Sequence, residues 1–252
     1  MAFRRALGLS MLLLIAACAP GPSASQSTRH PPRNPAAFVE GEPYGPRIDP
    51  ANFVPVIDNP YLPLQPGTTL IYEGVSGGDR EVVKVTVTNE TKEILGITAT
   101  VVRDRVFVGG RLAEDTFDWY AQDRLGNVWY LGEDTKEYED GKVVSTAGSW
   151  EAGVEGAQPG IIMLADPQVG DTYRQEFYEG EAEDVARVIG IDESVTVPYG
   201  SFRGVLRTED WTPLEPEIRE NKFYARGIGV VFERLVRGGK EVLRLVDVRS
   251  GP

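Results

Sequence analysis

The 252-residue chain holds 26 basic and 38 acidic side chains, one cysteine and one histidine, with a formal charge of −12. At 41% hydrophobic residues it can build a core, which excludes a disordered acidic chain; the length suits one large β domain or two small ones. No basic stripe is present to release counterions from phosphate, so nucleic acid is excluded as a partner.

Residues 1–17 read MAFRRALGLSMLLLIAA. Arg4 and Arg5 precede an apolar run from Ala6 to Ile15 and then small residues, which is the layout of a secretory leader. The run is too short to stay in a bilayer as a spanning helix. Ile15-Ala16-Ala17-Cys18 resembles the lipobox of bacterial lipoproteins. That resemblance implies diacylglyceryl attachment to Cys18, cleavage before it and acylation of the new amino terminus, so that the partner is the membrane and the location extracytoplasmic. Ala19 after the cysteine resembles the sorting pattern of outer-membrane lipoproteins, for a cell that has such a membrane. Several acyl chains hold a protein far more firmly than one. Loss of Arg4 and Arg5 takes the charge from −12 to −14, and with Cys18 acylated no disulfide can form in the mature chain.

From residue 18 to 50 the chain is rich in proline and small polar residues, with eight prolines between Ala19 and Pro50. Such a segment buries too little to offset its ordering entropy and reads as a tether. His30 lies in it between Arg29 and Pro31 without a second ligand nearby, and so reads as a tether residue. The globular domain spans 51–252. Its first stretch, Phe53 to Thr68, is too apolar for a linker and too rich in proline for a central strand.

After Gly67 the pattern is period-two alternation broken by hairpin signals at Gly77-Gly78, Gly109-Gly110, Asp140-Gly141 and Gly238-Gly239. Asp123 to Asn127, DRLGN, fits a type I turn with Gly126 in the left-handed position and a bulge. The expectation is an all-β fold: an antiparallel meander forming a curved sheet or incomplete barrel, with few short helices, one of them near Glu181 to Val188. The stretch from Ser145 to Asp171, which includes Trp150, shows no clear strand and reads as a long loop suited to binding or gating.

Two resemblances follow from these words. EDTFDWYAQDRLGNVWYLGEDTKEYEDGKVVSTAGSWEAGVEG, preceded by IDNPYLPLQPGTTLIYEG, resembles an uncharacterised family of secreted and lipobox-bearing bacterial proteins, and implies no activity. VTVPYGSFRGVLRT with KFYARGIGVVFERL resembles the ending of many envelope lipoproteins, which implies a curved antiparallel sheet like that of envelope lipoprotein carriers.

Aromatic residues gather in the central hairpin. Pairing Asp123 with Asn127 puts Phe117, Trp119, Trp129 and Leu131 on one face and Asp118, Tyr120, Gln122, Val128 and Tyr130 on the other. Phe117, Trp119, Tyr120, Trp129, Tyr130 and Trp150 are therefore the ligand-binding candidates, as core packing or as the wall of an apolar pocket. Acids crowd the same region: Glu114, Asp115, Asp118, Asp123, Glu133, Asp134, Glu137, Glu139 and Asp140. They read mainly as a solvated face, with Asp118, Asp123 and Asn127 as a weak calcium set.

The domain has no histidine and no free thiol, which excludes Ser-His-Asp triads, Cys-His pairs, His-based zinc sites and haem ligation. No cofactor is expected. A non-catalytic module for an apolar or amphipathic ligand is the leading expectation; a structural or protein-interaction role with an envelope partner is the second. A sugar-active enzyme using Glu133 and Asp118 is the third.

Overall fold

The computed structural model describes residues 34–251, so the leader, Cys18 and His30 lie outside the described residues. Thr68–Ser76 (β2), Asp79–Ile94 (β3), Ile97–Val108 (β4), Arg111–Asp123 (β5) and Val128–Glu139 (β6) follow a short β1 (Phe53–Val54) as one meander. Short strands come next: β7 (Lys142–Ser145), β8 (Trp150–Glu151), β9 (Gln158–Met163), β10 (Thr172–Arg174) and β11 (Glu176–Phe177). A second meander closes the chain: β12 (Val185–Val197), β13 (Gly200–Trp211), β14 (Arg219–Ala225), β15 (Gly229–Arg237) and β16 (Val242–Ser250). The expected all-β antiparallel fold is the observed one. The only helical turn among the described residues is the 3-10 segment Pro50–Asn52, capped by Asp49.

Three hairpins turn on the expected dipeptides. Ser76 pairs with Asp79, Val108 with Arg111 and Glu139 with Lys142, and both turn residues in each case have positive φ. This backbone matches the twist of the strands it joins. Leu95-Gly96 makes a fourth such turn that the sequence hides, because leucine rarely accepts φ of 51°. The expected Gly238-Gly239 turn is instead part of a wider loop. Arg234 pairs with Val242 and Leu235 N donates to Glu241 O, leaving Val236 to Lys240 between.

The helix expected near Glu181 to Val188 is β-structure. Tyr178 bridges Ala182, and β12 runs from Val185 with Val185, Ala186 and Val188 buried. A helix of two turns nucleates poorly, whereas β12 bonds on both sides, to β10 and β13.

The sheet runs β10-β12-β13-β14-β15-β16-β2-β3-β4-β5-β6-β9-β11, which brings its ends together as a nearly closed barrel with one seam. The chain from Thr172 to Phe177 serves both ends, pairing with β12 through β10 and with β9 through β11. At the seam the backbones meet so closely that a Cβ on Gly160 would lie 2.2 Å from Gln175 O. The residues 145–171 read as a gate contribute β8 and β9 to this wall, with Ile161, Met163 and Leu164 buried. QPGIIM shows no alternation because both of its faces are covered.

Part of the segment read as tether packs on the barrel. Ala37 bridges Tyr173, Phe38 N donates to Thr172 O, and Tyr44 Oη donates to Pro159 O at 2.8 Å. Residues 34–48 thus form a strap that touches β10 on one side of the seam and β9 on the other. The Arg174 guanidinium lies over the rings of Phe38, Tyr44 and Phe177 beneath it. Proline keeps this segment out of a long ladder, yet Ala36, Tyr44 and Ile48 supply the burial that a free tether lacks.

Candidate functional site

The central hairpin has the expected register. Asp123 N donates to Asn127 O, Ala121 faces Trp129, and Gly126 has φ of 98°. The ladder slips by one residue at Gly132, where a Cβ would sit 2.3 Å from Trp150 O. Only glycine lets β8 approach so closely.

The two faces of the hairpin do different things, and the six aromatic candidates divide between them. Tyr120, Tyr130 and Trp150 face the barrel interior: Tyr120 stacks on Tyr130 at 4.8 Å, and Trp150 meets Tyr130 edge-on at 5.4 Å. Phe117, Trp119 and Trp129 face the other way. Arg103 covers Phe117, Lys92 Nζ sits 3.2 Å from the centre of the Trp119 ring, and Phe53 packs on Trp129. Both groups are packed against protein, so the six do not line one shared pocket.

The calcium set is likewise divided. The Asp123 carboxylate accepts from Leu125 N, Asn127 N, Asn127 Nδ2 and Trp129 Nε1, which uses its lone pairs to hold the turn. Asn127 Oδ1 accepts from Ala165 N, while Asp118 points to the opposite face, towards the interior. No group of three carboxylates, His or Cys among the described residues is arranged to hold a metal.

Asp118 and Glu133 do stand directly opposite each other, both facing inward. Tyr130 Oη donates to Asp118 at 2.6 Å, and Trp150 Nε1 donates to Glu176 at 2.9 Å. Burial pushes both the Asp118 and the Glu133 carboxyl upward, Glu133 further because Glu176 and Asp118 surround it. Asp118 and Glu133 are only 3% and 5% exposed, so they sit sealed beneath the Tyr-Trp cluster rather than flanking a cleft. The acidic region read as a solvated face is therefore split, with its middle turned into the barrel.

That interior is polar across the barrel as well. Lys222 opposes Glu233 in the ladder and lies 3.3 Å from Asp210 and 3.7 Å from Glu220. Burial pulls its ammonium down, but the attraction of Asp210 and Glu220 outweighs this and holds it charged. Desolvation pushes Asp104 and Glu233 each up to about 8, with neighbouring carboxylates adding to the shift. One oxygen of each, Asp104 Oδ1 and Glu233 Oε1, is buried without a hydrogen-bond partner. A neutral carboxyl tolerates that far better than a carboxylate.

An open site lies on the other face of the second meander. β12 crosses back to touch β15 and β16, and Tyr199 N in the β12–β13 turn donates to Leu245 O in β16. The fold-over traps a second core, including Val197, Val205, Phe223 and Val231. Beside this core remains a groove of about 400 Å³, lined by Glu193 to Thr196 of β12 and by Arg207, Phe223, Phe232, Arg234 and Arg244.

Its floor is set by register. Arg207 pairs with Phe223, Phe223 with Phe232, and Phe232 with Arg244, so one row across four strands reads Arg-Phe-Phe-Arg. These residues alternate with the inward-facing Lys222 and Glu233 and so lie on the outer face. The two rings are tilted at 5.3 Å, with Arg207 and Arg234 over Phe223 and Arg244 over Phe232. Glu193 pairs with Arg207 at 3.1 Å. The sequence contained the signal in KFYARGIGVVFER, two phenylalanines flanking a turn. Their pairing depends on a bulge beside Phe223 that alternation does not reveal.

Neither a family model nor a curated protein matches the chain. Among solved structures, a Bacteroides fragilis protein described as exported and as having a YmcC-like fold aligns with 75% of this chain and 99% of its own, at 16% identity and a TM-score of 0.44. A Parabacteroides distasonis protein described as a lipoprotein aligns with 75% of this chain and 98% of its own, at 12% identity and a TM-score of 0.42.

Proposed function

We propose that the chain is a lipid-anchored extracytoplasmic lipoprotein whose β domain is a non-catalytic binding module for an amphipathic ligand. The leader ending in Cys18 supports the anchor. Cys18→Ala is expected to abolish incorporation of a fatty-acid probe and to release the protein from membranes; retained labelling would overturn the anchor.

The observation that carries the binding role is the groove under the β12–β13 hairpin. It joins an aromatic floor to charged walls in a volume typical of small-molecule sites. The aromatic side chains of the central hairpin are instead engaged by one another and by Lys92, Arg103 and Asp123.

The test uses the mature chain from residue 18 with Cys18→Ala, so that it carries no acyl chain of its own. Native mass spectrometry with decyl phosphate, decanoate or decyl maltoside is expected to show one bound amphiphile, displaced from the Phe232→Asp variant. Absence of any bound species, or equal occupancy of parent and variant, would remove the groove as the site.

A further inference from the structure

We infer that the groove selects single-chain amphiphiles with an acidic head, phosphate or carboxylate, which Arg234 and Arg244 receive while the chain lies on Phe223 and Phe232. This inference rests on the groove being the ligand site and specifies what that site recognises.

Four observations converge on it. The first is charge: three guanidinium groups meet here against one carboxylate, Glu193, in a protein whose net charge is −12. The second is partnership. Glu193 engages Arg207, whereas Arg234 and Arg244 have no ion pair among the described residues, and Glu73, which opposes Arg244 in the ladder, is held by Arg80. The third is that Arg234 Nε is buried without an acceptor, a donor that an incoming acidic oxygen would satisfy. The fourth is geometry. The row from Arg207 to Arg244 crosses three strand spacings, roughly 14 Å, with its apolar part in the middle and cations at the rim. Guanidinium groups resting on rings keep their N–H edges free, which suits a fork of two hydrogen bonds to phosphate or carboxylate.

A neutral head offers Arg234 and Arg244 only uncharged acceptors. An acidic head forms charge-assisted bonds in a site partly screened from water. The difference in affinity should be about tenfold or more, and it should shrink as salt rises, since Arg244 is exposed.

Calorimetric titration of the same mature Cys18→Ala chain, below micelle formation, tests this with decyl phosphate, decanoate and decyl maltoside. The expected result is that decyl phosphate and decanoate each bind at least about tenfold more tightly than decyl maltoside. The two acidic arms show whether phosphate or carboxylate is the better head. In Arg234→Gln/Arg244→Gln the acidic preference, read as the ratio of decyl phosphate to decyl maltoside affinity in the same variant, should fall to about one. Arg244→Glu, at an exposed position, repeats the test without burdening the fold.

Equal affinity for acidic and neutral heads would overturn the selection and leave the groove as an amphiphile site. Binding of none of the three would overturn both. A preference that survives Arg244→Glu and the double variant would place the acidic head elsewhere and overturn the assignment to these arginines.

Discussion

The melting temperature of this domain is expected to fall as pH rises from about 5 to about 8. Asp104 and Glu233 have ordinary carboxyl values near 4 when unfolded and are pushed up to about 8 in the fold, by desolvation first and by neighbouring acids second. Between those limits the folded chain binds protons that the unfolded chain has released, so stability declines with pH. The contribution is fully present below pH 4 and is lost as pH passes through 8. Two buried groups shifted in this way are worth several kcal/mol, on the order of 10 °C in melting temperature for a domain this size. Asp184, pushed up to about 6 by burial, adds to the lower part of the window. Calorimetric scans at intervals from pH 5 to pH 9 check the effect, and a flat or rising profile would sink it. Asp104→Asn with Glu233→Gln should flatten the profile and raise the melting temperature at pH 8, because the amides keep the neutral shape without a charge to desolvate.

The second large effect concerns Lys222, whose ammonium is held by Asp210 and Glu220 inside the barrel. Lys222→Met is expected to cost about 3–5 kcal/mol at pH 8, the range for removing one partner of a buried ion pair. Its loss also removes the cation that holds down the carboxyls of Asp184, Glu220 and Glu233. The cost should therefore shrink at pH 5, where these groups take up protons. Urea midpoints of parent and variant at both pH values measure this. A cost that is the same at both would show that packing of the lysine stem, not its charge, is what matters. Adding Asp210→Asn and Glu220→Gln to Lys222→Met should recover part of the loss, since the two carboxylates nearest the lysine are then neutral while Asp184 and Glu233 remain.

Much of the architecture was legible because it rests on local chemistry. Gly77-Gly78, Gly109-Gly110 and Asp140-Gly141 take backbone angles that few other residues accept, and DRLGN fixed the register of the central hairpin down to Ala121 opposite Trp129. What escaped depends on distant partners. Ala36, Phe38 and Tyr44 look like tether until Thr172 and Pro159 are brought beside them. Ile161 and Met163 look like loop because their neighbours cover both faces. Asp118 and Glu133 alternate as a solvent-facing pair would, and only barrel closure turns them inward. The groove needed two such events, a bulge beside Phe223 and the fold-over of β12, so its arginines carried no signal in the linear sequence.

The strap over the seam sets an order of assembly. Tyr44 and Asn34 bond to residues 115 and 138 positions later in the chain, so the first packed segment to be made waits for Pro159 and Thr172 before it has anything to hold. Both meanders can form from neighbouring hairpins, and β10 and β11 pair with strands fewer than 20 residues away, but the union of the meanders through β16 and β2 is a long-range closure, slow by loop entropy. A chain delivered amino terminus first passes through a state in which the edge of β2 is bare, because its partner β16 is the last strand made. Until β16 closes on β2, that edge is where a neighbouring copy can pair.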